Sequence, residues 1–268
     1  MDPANRLELR PMGVGDILDT ALRLYRSRLI PFLTIALIMY VPYTILVVLL
    51  NAEFAEPPQV VQGPFGPRVV ESTGTTLVNA LDGLLLFLFV LPLVQSAMMV
   101  NISATYLGEQ IDAATSYRRA ARRVLALLGT QWLAGIVIVI GYLLLIVPGI
   151  VFSLWYLILG PIVVLEGISG GRAMSRSKAL MSGNLGKGFL LMLVVVLLNL
   201  ALTWAVGYCV GLLGRHLLLD GIVQNLLQAV LLPFSVAPSI LLYYDLRIRK
   251  EAFDLQRLTE VLAAPVPA

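Results

Sequence analysis

One cysteine, Cys209, one histidine, His216, and a charged fraction of only 13% mark what this 268-residue chain has little of. A lone cysteine excludes a disulfide within the chain and a thiol-rich metal centre. A lone histidine leaves hydrolytic metal chemistry without its usual cluster of His, Asp and Glu ligands. His216 therefore reads as a polar turn residue. No P-loop and no nucleophile elbow occur. Gly167, Gly170 and Gly171 lie close together, but no predicted strand precedes them, so they read as a helix cap and not as a nucleotide fingerprint. No cofactor is expected. The basic residues flank apolar runs and do not interleave with exposed aromatics, which makes nucleic acid an unlikely partner.

What the chain does have is apolar length. Hydrophobic residues make up 59% of it, and the mean hydropathy is +0.88, far outside the soluble range. Seventeen of its nineteen Lys and Arg residues fall in four segments, Arg6 to Arg28, Arg118 to Arg123, Arg172 to Lys187 and Arg247 to Arg257. Only Arg68 and Arg215 fall between them. By the positive-inside rule these segments mark the cytoplasmic side of a multi-pass membrane protein.

The apolar runs supply the spans. The first is Leu29 to Leu50, with Pro31 at its start and Pro42 inside. It has no small-x-small cleavage site and reads as an uncleaved span. Residues 51–76 hold Pro57, Pro58, Pro64 and Pro67 and read as an irregular external loop. The second span runs from about Gly83 to Val100, with helix continuing toward Tyr106. Trp132 to Glu166 as one helix would be roughly 50 Å long, against a hydrocarbon core of ~30 Å. A turn at Val147-Pro148-Gly149-Ile150 divides it into a hairpin and keeps Arg122 and Arg123 on the same side as Arg172 and Arg176. The fifth span is Phe189 to about Leu213. The sixth is Ile222 to Tyr244, after a short outer turn with Arg215, His216 and Asp220. The expected fold is an all-α polytopic membrane bundle of six transmembrane helices, one domain over 1–268, with both termini cytoplasmic.

Three basic segments precede hairpins: within the N-terminal arm 1–28, and at 107–128 and 169–187. The fourth opens the tail, 245–268. Arg118, Arg119, Arg122 and Arg123 recur at helical spacing, with Tyr117, Ala121, Val124 and Leu128 on another face. In the first segment Leu18, Leu22, Tyr25 and Leu29 lie beside Arg23 and Arg26. Such amphipathic helices fit the inner interface, apolar side down and guanidinium groups among phosphates. Arg23, Arg26, Arg118, Arg119, Arg122, Arg123, Arg172, Arg176 and Lys178 are the expected contacts to anionic headgroups or a partner protein.

The acids near the membrane are Asp82, Glu166 and Asp245. Glu166 and Asp245 stand beside basic clusters and, with Arg247, Arg249 and Glu251, suggest an ion-paired lock at the inner interface. Asp82 has only Arg68 or Arg215 as a candidate cation. Gln95, Asn199 and Thr203 sit deep enough to hydrogen-bond between helices. Gly207 and Gly211 form a GxxxG element suited to internal packing or to a homo-oligomer. Pro148 with Gly149, and Pro233 with Pro238, are the expected helix breaks. Ser235 lies between the last two, where a kink competes with a broken, cavity-lining helix.

Leu9-Arg10-Pro11, Gly15-Asp16-Ile17-Leu18-Asp19 and Leu24-Tyr25-Arg26, the Val147-to-Ile150 turn leading to Val164-Leu165-Glu166-Gly167, and Ala173, Arg176, Ser177, Leu180 and Met181 form a recognisable series. The closing run Leu242-Tyr243-Tyr244-Asp245-Leu246-Arg247-Ile248-Arg249-Lys250-Glu251, with Phe253-Asp254-Leu255, is its most specific part. Together they resemble the glycerophosphoryl diester phosphodiesterase membrane-domain family. The resemblance implies the six-span membrane module alone, since the hydrolytic barrel needs paired His and acidic ligands, and it transfers no catalytic residue. The leading expectation is a non-enzymatic membrane scaffold or accessory subunit of the cytoplasmic membrane. The alternative is a transporter or channel component for a small solute or lipid. An intramembrane enzyme is the weakest class, because no acid–base or nucleophile pair stands out.

Overall fold

The computed structural model describes residues 11–54, 59–63, 66–70, 72–212 and 217–251. Arg6, Arg10, Arg215, His216, Arg257 and the closing Phe253 to Leu255 lie outside these residues. Six helical segments among them are long and apolar enough to cross a membrane: Leu29–Phe54, Thr73–Tyr106, Val124–Leu144, Ile146–Glu166, Leu185–Leu212 and Gly221–Glu251. The fold is an all-α bundle of the multi-pass membrane type. In such a bundle lipid tails are as apolar as leucine, so close packing and hydrogen bonds, more than hydrophobic burial, decide which helices meet.

Helix α1 (Val14–Ser27) precedes the first span and buries Ile17, Thr20, Ala21 and Leu24. Its apolar stripe packs mainly against the last helix. The flanking Leu22 and Leu29, by contrast, are exposed. Helix α2 (Leu29–Phe54) is the first span. Pro31 falls in its first turn, where no backbone donor is needed.

The described residues of 51–76 are regular where an irregular loop was expected. Strands β1 (Gln59–Gly63) and β2 (Gly66–Val70) form an antiparallel hairpin with Gln59 opposite Val70. Helix α3 (Thr73–Leu85) then starts ten residues before Gly83. Ser72 explains the early start, because its hydroxyl accepts the Thr75 amide at 3.1 Å as an N-cap. The span continues through a π-helical turn, Leu86–Val90, into α4 (Leu91–Tyr106). Pro92 lacks the amide that would pair with Leu88, and the wider turn just before it absorbs that loss.

The basic segment after α4 is not one helix. Helix α5 (Ala113–Ala121), capped by Asp112, ends before Arg122, and α6 (Val124–Leu144) begins just after Arg123. Arg118 and Arg119 therefore belong to one helix, while Arg122 and Arg123 lie in the turn that follows it.

The hairpin forms, but its turn is at Leu145 and not at Pro148-Gly149. Leu145 is extended (φ −165°, ψ 154°), and α7 (Ile146–Trp155) starts at the next residue. Pro148 sits in the first turn of α7, where proline is tolerated. Gly149 provides close approach: a β-carbon there would strike the Tyr142 ring, and one on Gly141 would lie 3.1 Å from the Gly149 α-carbon.

The fourth span is then interrupted. Residues 156–158 leave the helix, a single turn α8 (Leu159–Pro161) follows, and a π-helical turn, Ile162–Glu166, completes it. Gly167 takes the left-handed conformation (φ 74°) that ends the span. Helix α9 (Gly170–Met181) buries Ala173, Met174, Ser177, Leu180 and Met181. Helix α10 (Leu185–Leu212) buries only Gly188 and Leu191. Helix α11 (Leu217–Glu251) runs unbroken through Pro233 and Pro238, so neither proline is a break. The core lies between α2, α4 and α11, around Phe32, Ile35, Tyr40, Met98, Ile102, Ile162 and Tyr243.

Candidate functional site

Two charge networks knit one end of the bundle together. In the first, Asp245 is fully buried. It pairs with Lys187 and accepts the Arg249 Nε–H at 3.0 and 3.1 Å. It also accepts the Met12 amide at 2.6 Å. The Met12 carbonyl in turn accepts Lys187 Nζ at 2.5 Å and Arg249 at 3.0 Å. One carboxylate thus fastens the chain before α1 to α10 and α11. Both carboxylate oxygens accept hydrogen bonds, and two cations offset the charge, which is the condition for a buried charge to be tolerated.

In the second network Glu166 accepts two parallel bonds from Arg176, each 3.1 Å. It also accepts the Tyr243 hydroxyl at 2.9 Å. Arg247 donates to Tyr243 at 3.1 Å and pairs with Glu251 at 3.0 Å. Glu251 also pairs with Arg176. Hydrogen bonds first to Glu251 and then to Glu166 raise the Arg176 pKa, so this guanidinium stays charged. The residues read from the sequence as a lock, Glu166, Asp245, Arg247, Arg249 and Glu251, are thus brought together at one end.

The basic residues divide into two sets. Arg176, Lys187, Arg247 and Arg249 are consumed by the networks. Lys178 lies over the Trp155 ring, 4.1 Å from its centre, and Arg123 donates to the Gly167 carbonyl at 3.1 Å. Arg119 stands 4.0 Å from Glu109, with both side chains exposed. Arg23 and Arg118 donate to neighbouring threonine hydroxyls on their own helices, and the Arg118 charge also acts on Asp112. Arg26, Arg122 and Arg172 are exposed and have no ion-pair partner among the described residues.

Asp82, for which the sequence offered only Arg68 or Arg215, accepts the Tyr43 hydroxyl of α2; the side chains of both arginines lie outside what is described. Asn199 bonds across helices as expected, accepting the Ser235 hydroxyl at 3.1 Å. Gly207 faces Gln224 of α11, 3.8 Å from where a β-carbon would stand, whereas Gly211 has open space around it. Among the described residues no group of three or more His, Cys, Asp or Glu could hold a metal ion.

The break in the fourth span has a hydrogen-bond logic. In a continuous helix the Leu159 amide would donate to the Trp155 carbonyl. It donates instead to Tyr156, at 3.1 Å. The Trp155 carbonyl is taken by the Ser177 hydroxyl of α9, at 2.6 Å. Pro161 has no amide to offer Leu157. Beside the break lies a partly open cavity of about 360 Å³, whose polar walls are Gln95, Gln131, Tyr156, Ser235 and Ser239. Gln95 therefore lines a space and does not glue two helices.

No protein-family model, curated protein or solved structure matches the chain. Its site has to be read from its own residues. Lys187, the Met12 backbone, Tyr243, Gln131 and Ser177 were not singled out as site residues. Gln131 carried a signal as a carboxamide within an apolar run, and Lys187 as the end of a basic segment. What each of Lys187, Met12, Tyr243 and Ser177 does depends on a contact distant in sequence.

Proposed function

We propose that this chain is a non-enzymatic multi-pass protein of the cytoplasmic membrane, a scaffold or accessory subunit whose charged end faces the cytoplasm. That end binds anionic headgroups or an acidic partner surface. The division of the basic residues carries this reading. Four are neutralised internally, while Arg23, Arg26, Arg122 and Arg172 point outward without an ion pair among the described residues, and Arg118 is exposed with only Asp112 near it. Each cation near an anionic leaflet contributes about 1 kcal/mol of attraction. The exposed Leu22 and Leu29 beside Arg23 and Arg26 suit a helix lying at the lipid boundary. Glu166, Asp245 and Glu251 are each held by cations, so none is poised as a general base. The closing run Leu242 to Glu251, with its resemblance to the glycerophosphoryl diester phosphodiesterase membrane-domain family, supports a membrane module without the hydrolytic barrel.

The test replaces Arg23, Arg26, Arg118, Arg122 and Arg172 with Gln together. Native mass spectrometry of the detergent-solubilised protein then compares retention of phosphatidylglycerol with phosphatidylcholine. Loss of the anionic preference is expected, and an unchanged preference ends the reading. Orientation is tested by single cysteines at Gln62 and Gln256 in a Cys209→Ser background. Labelling from opposite sides is expected; labelling from one side overturns the six-span topology. A second reading, a transporter or channel component for a small solute or lipid, is favoured by the broken fourth span and the cavity beside it.

A further inference from the structure

The geometry points to the cavity beside the broken fourth span as a binding site for the uncharged head of a neutral lipid, a hydroxyl-and-ester group such as diacylglycerol carries. The site is separate from the outward arginines and rests on different residues.

Its depth comes first. Gln95 and Met99 lie eleven and seven residues before Tyr106, the end of α4. Gln131 lies seven residues after Val124, the start of α6. Ser235 and Ser239 lie ten and six residues before Asp245 on α11. At about 1.5 Å per residue, all three helices place the cavity roughly 9–17 Å from the charged end. In a hydrocarbon core of ~30 Å that is the membrane interior, below the headgroups.

The wall chemistry selects the ligand. The carboxamides of Gln95 and Gln131 have no hydrogen-bond partner among the described residues. Each offers two donors and an acceptor. Both side chains are half-buried and open onto the cavity at a depth where lipid tails offer no hydrogen bond, so two carboxamides on one wall call for a partner. Ser235 and Ser239 spend their protons on Asn199, Leu231 and Val236. Their oxygens keep lone pairs for accepting. Donors therefore face ester carbonyls, and acceptors face a hydroxyl. Among the described residues no Asp, Glu, Lys, Arg or His lines the cavity. A phosphate or ammonium would enter without a counter-charge, at high cost.

Size and access agree. About 360 Å³ is at the small end of ligand pockets and holds a glycerol ester head, not two acyl chains. The cavity is partly open, so the chains can trail into the bilayer. Gly135 lines the space, and a β-carbon on it would meet nothing within 4 Å, so a larger residue fills the cavity without a backbone clash.

The experiment uses the full chain in neutral nanodiscs with a diazirine-bearing diacylglycerol. Saturable crosslinking to peptides containing Gln95, Met99 or Gln131 is expected, displaced by unlabelled diacylglycerol but not by phosphatidic acid of the same chains. Labelling should fall at least tenfold in Gln95→Leu/Gln131→Leu and, independently, in Gly135→Leu, with thermal stability retained in both. Displacement by free glycerol at millimolar concentration would assign the site to a soluble solute and overturn the lipid assignment. Labelling that is unsaturable, that phosphatidic acid displaces equally, or that ignores both variants would overturn it too. Headgroup preference at the arginines is unchanged in these variants, so the two readings fail separately.

Discussion

The fourth and sixth spans both carry two prolines, yet the fourth breaks and the sixth runs on. In the fourth, Pro148 lies in the first turn of α7 and Pro161 follows the break at 156–158. In the sixth, Pro233 and Pro238 stand inside a continuous 35-residue helix. The two spans also differ in where the carbonyls near each proline find partners. Around the sixth-span prolines the nearby carbonyls of Leu231 and Val236 accept hydroxyls from Ser235 and Ser239 of the same helix. The Val230 carbonyl accepts Tyr25 from α1 at 3.2 Å. In the fourth span the Trp155 carbonyl is drawn to Ser177 of another helix. Beside the sixth-span prolines hydroxyls of the same helix and of α1 brace a helix that stays continuous; in the fourth span the Ser177 hydroxyl takes a carbonyl at the gap.

The largest expected effect tests the anchoring of the sixth span. Asp245→Ala leaves the largely buried Lys187 with an uncompensated charge, while the more exposed Arg249 can turn to solvent, and should cost about 3–5 kcal/mol. Thermal unfolding in neutral detergent reads the loss. Asp245→Asn, which keeps the shape and can still accept the Met12 amide, should lose less. Equal losses would show that shape, and not charge, closes this end.

Next comes the hairpin that delivers the fourth span. Gly149→Ala drives a methyl group into the Tyr142 ring, and overpacking of this kind costs about 1–3 kcal/mol. Tyr142→Ala in the same chain should recover part of the stability. Without such recovery, the close approach of α6 and α7 is not what Gly149 serves. Ser177→Ala is smaller, about 1 kcal/mol for one hydrogen bond. Its sharper readout is hydrogen exchange, which should quicken at residues 156–159. Unchanged exchange would mean that the break persists on local sequence alone.

How far these features could be read without coordinates follows from their range. The six apolar segments and the hairpin were legible, because span length and charge placement are properties of the linear chain. The lock was legible at Glu166 and Asp245, where opposite charges stand next to apolar runs. Its third element, the Met12 backbone, was not, since its partner Asp245 is 233 residues away. The break in the fourth span was not legible either, and for the same reason. Proline is visible in a sequence, but the hydroxyl of Ser177 reaching Trp155 is not.

The smallest effect bears most directly on the two spans. Pro233→Ala and Pro238→Ala restore backbone donors to the Ala229 and Phe234 carbonyls, a gain of about 0.5–1.5 kcal/mol for each bond made. They also free the unfolded chain, a loss of about 0.4–1 kcal/mol. These terms oppose each other, and α11 is already continuous, so each variant should unfold within about 1 kcal/mol of the native protein. Diacylglycerol labelling should hold as well, because Ser235 and Ser239 stay in register. A loss above about 2 kcal/mol in either variant would exceed what these two terms supply. The prolines would then shape the packing of α11 against α2 and α4, and the contrast with the fourth span would rest on bundle geometry and not on hydrogen-bond partners.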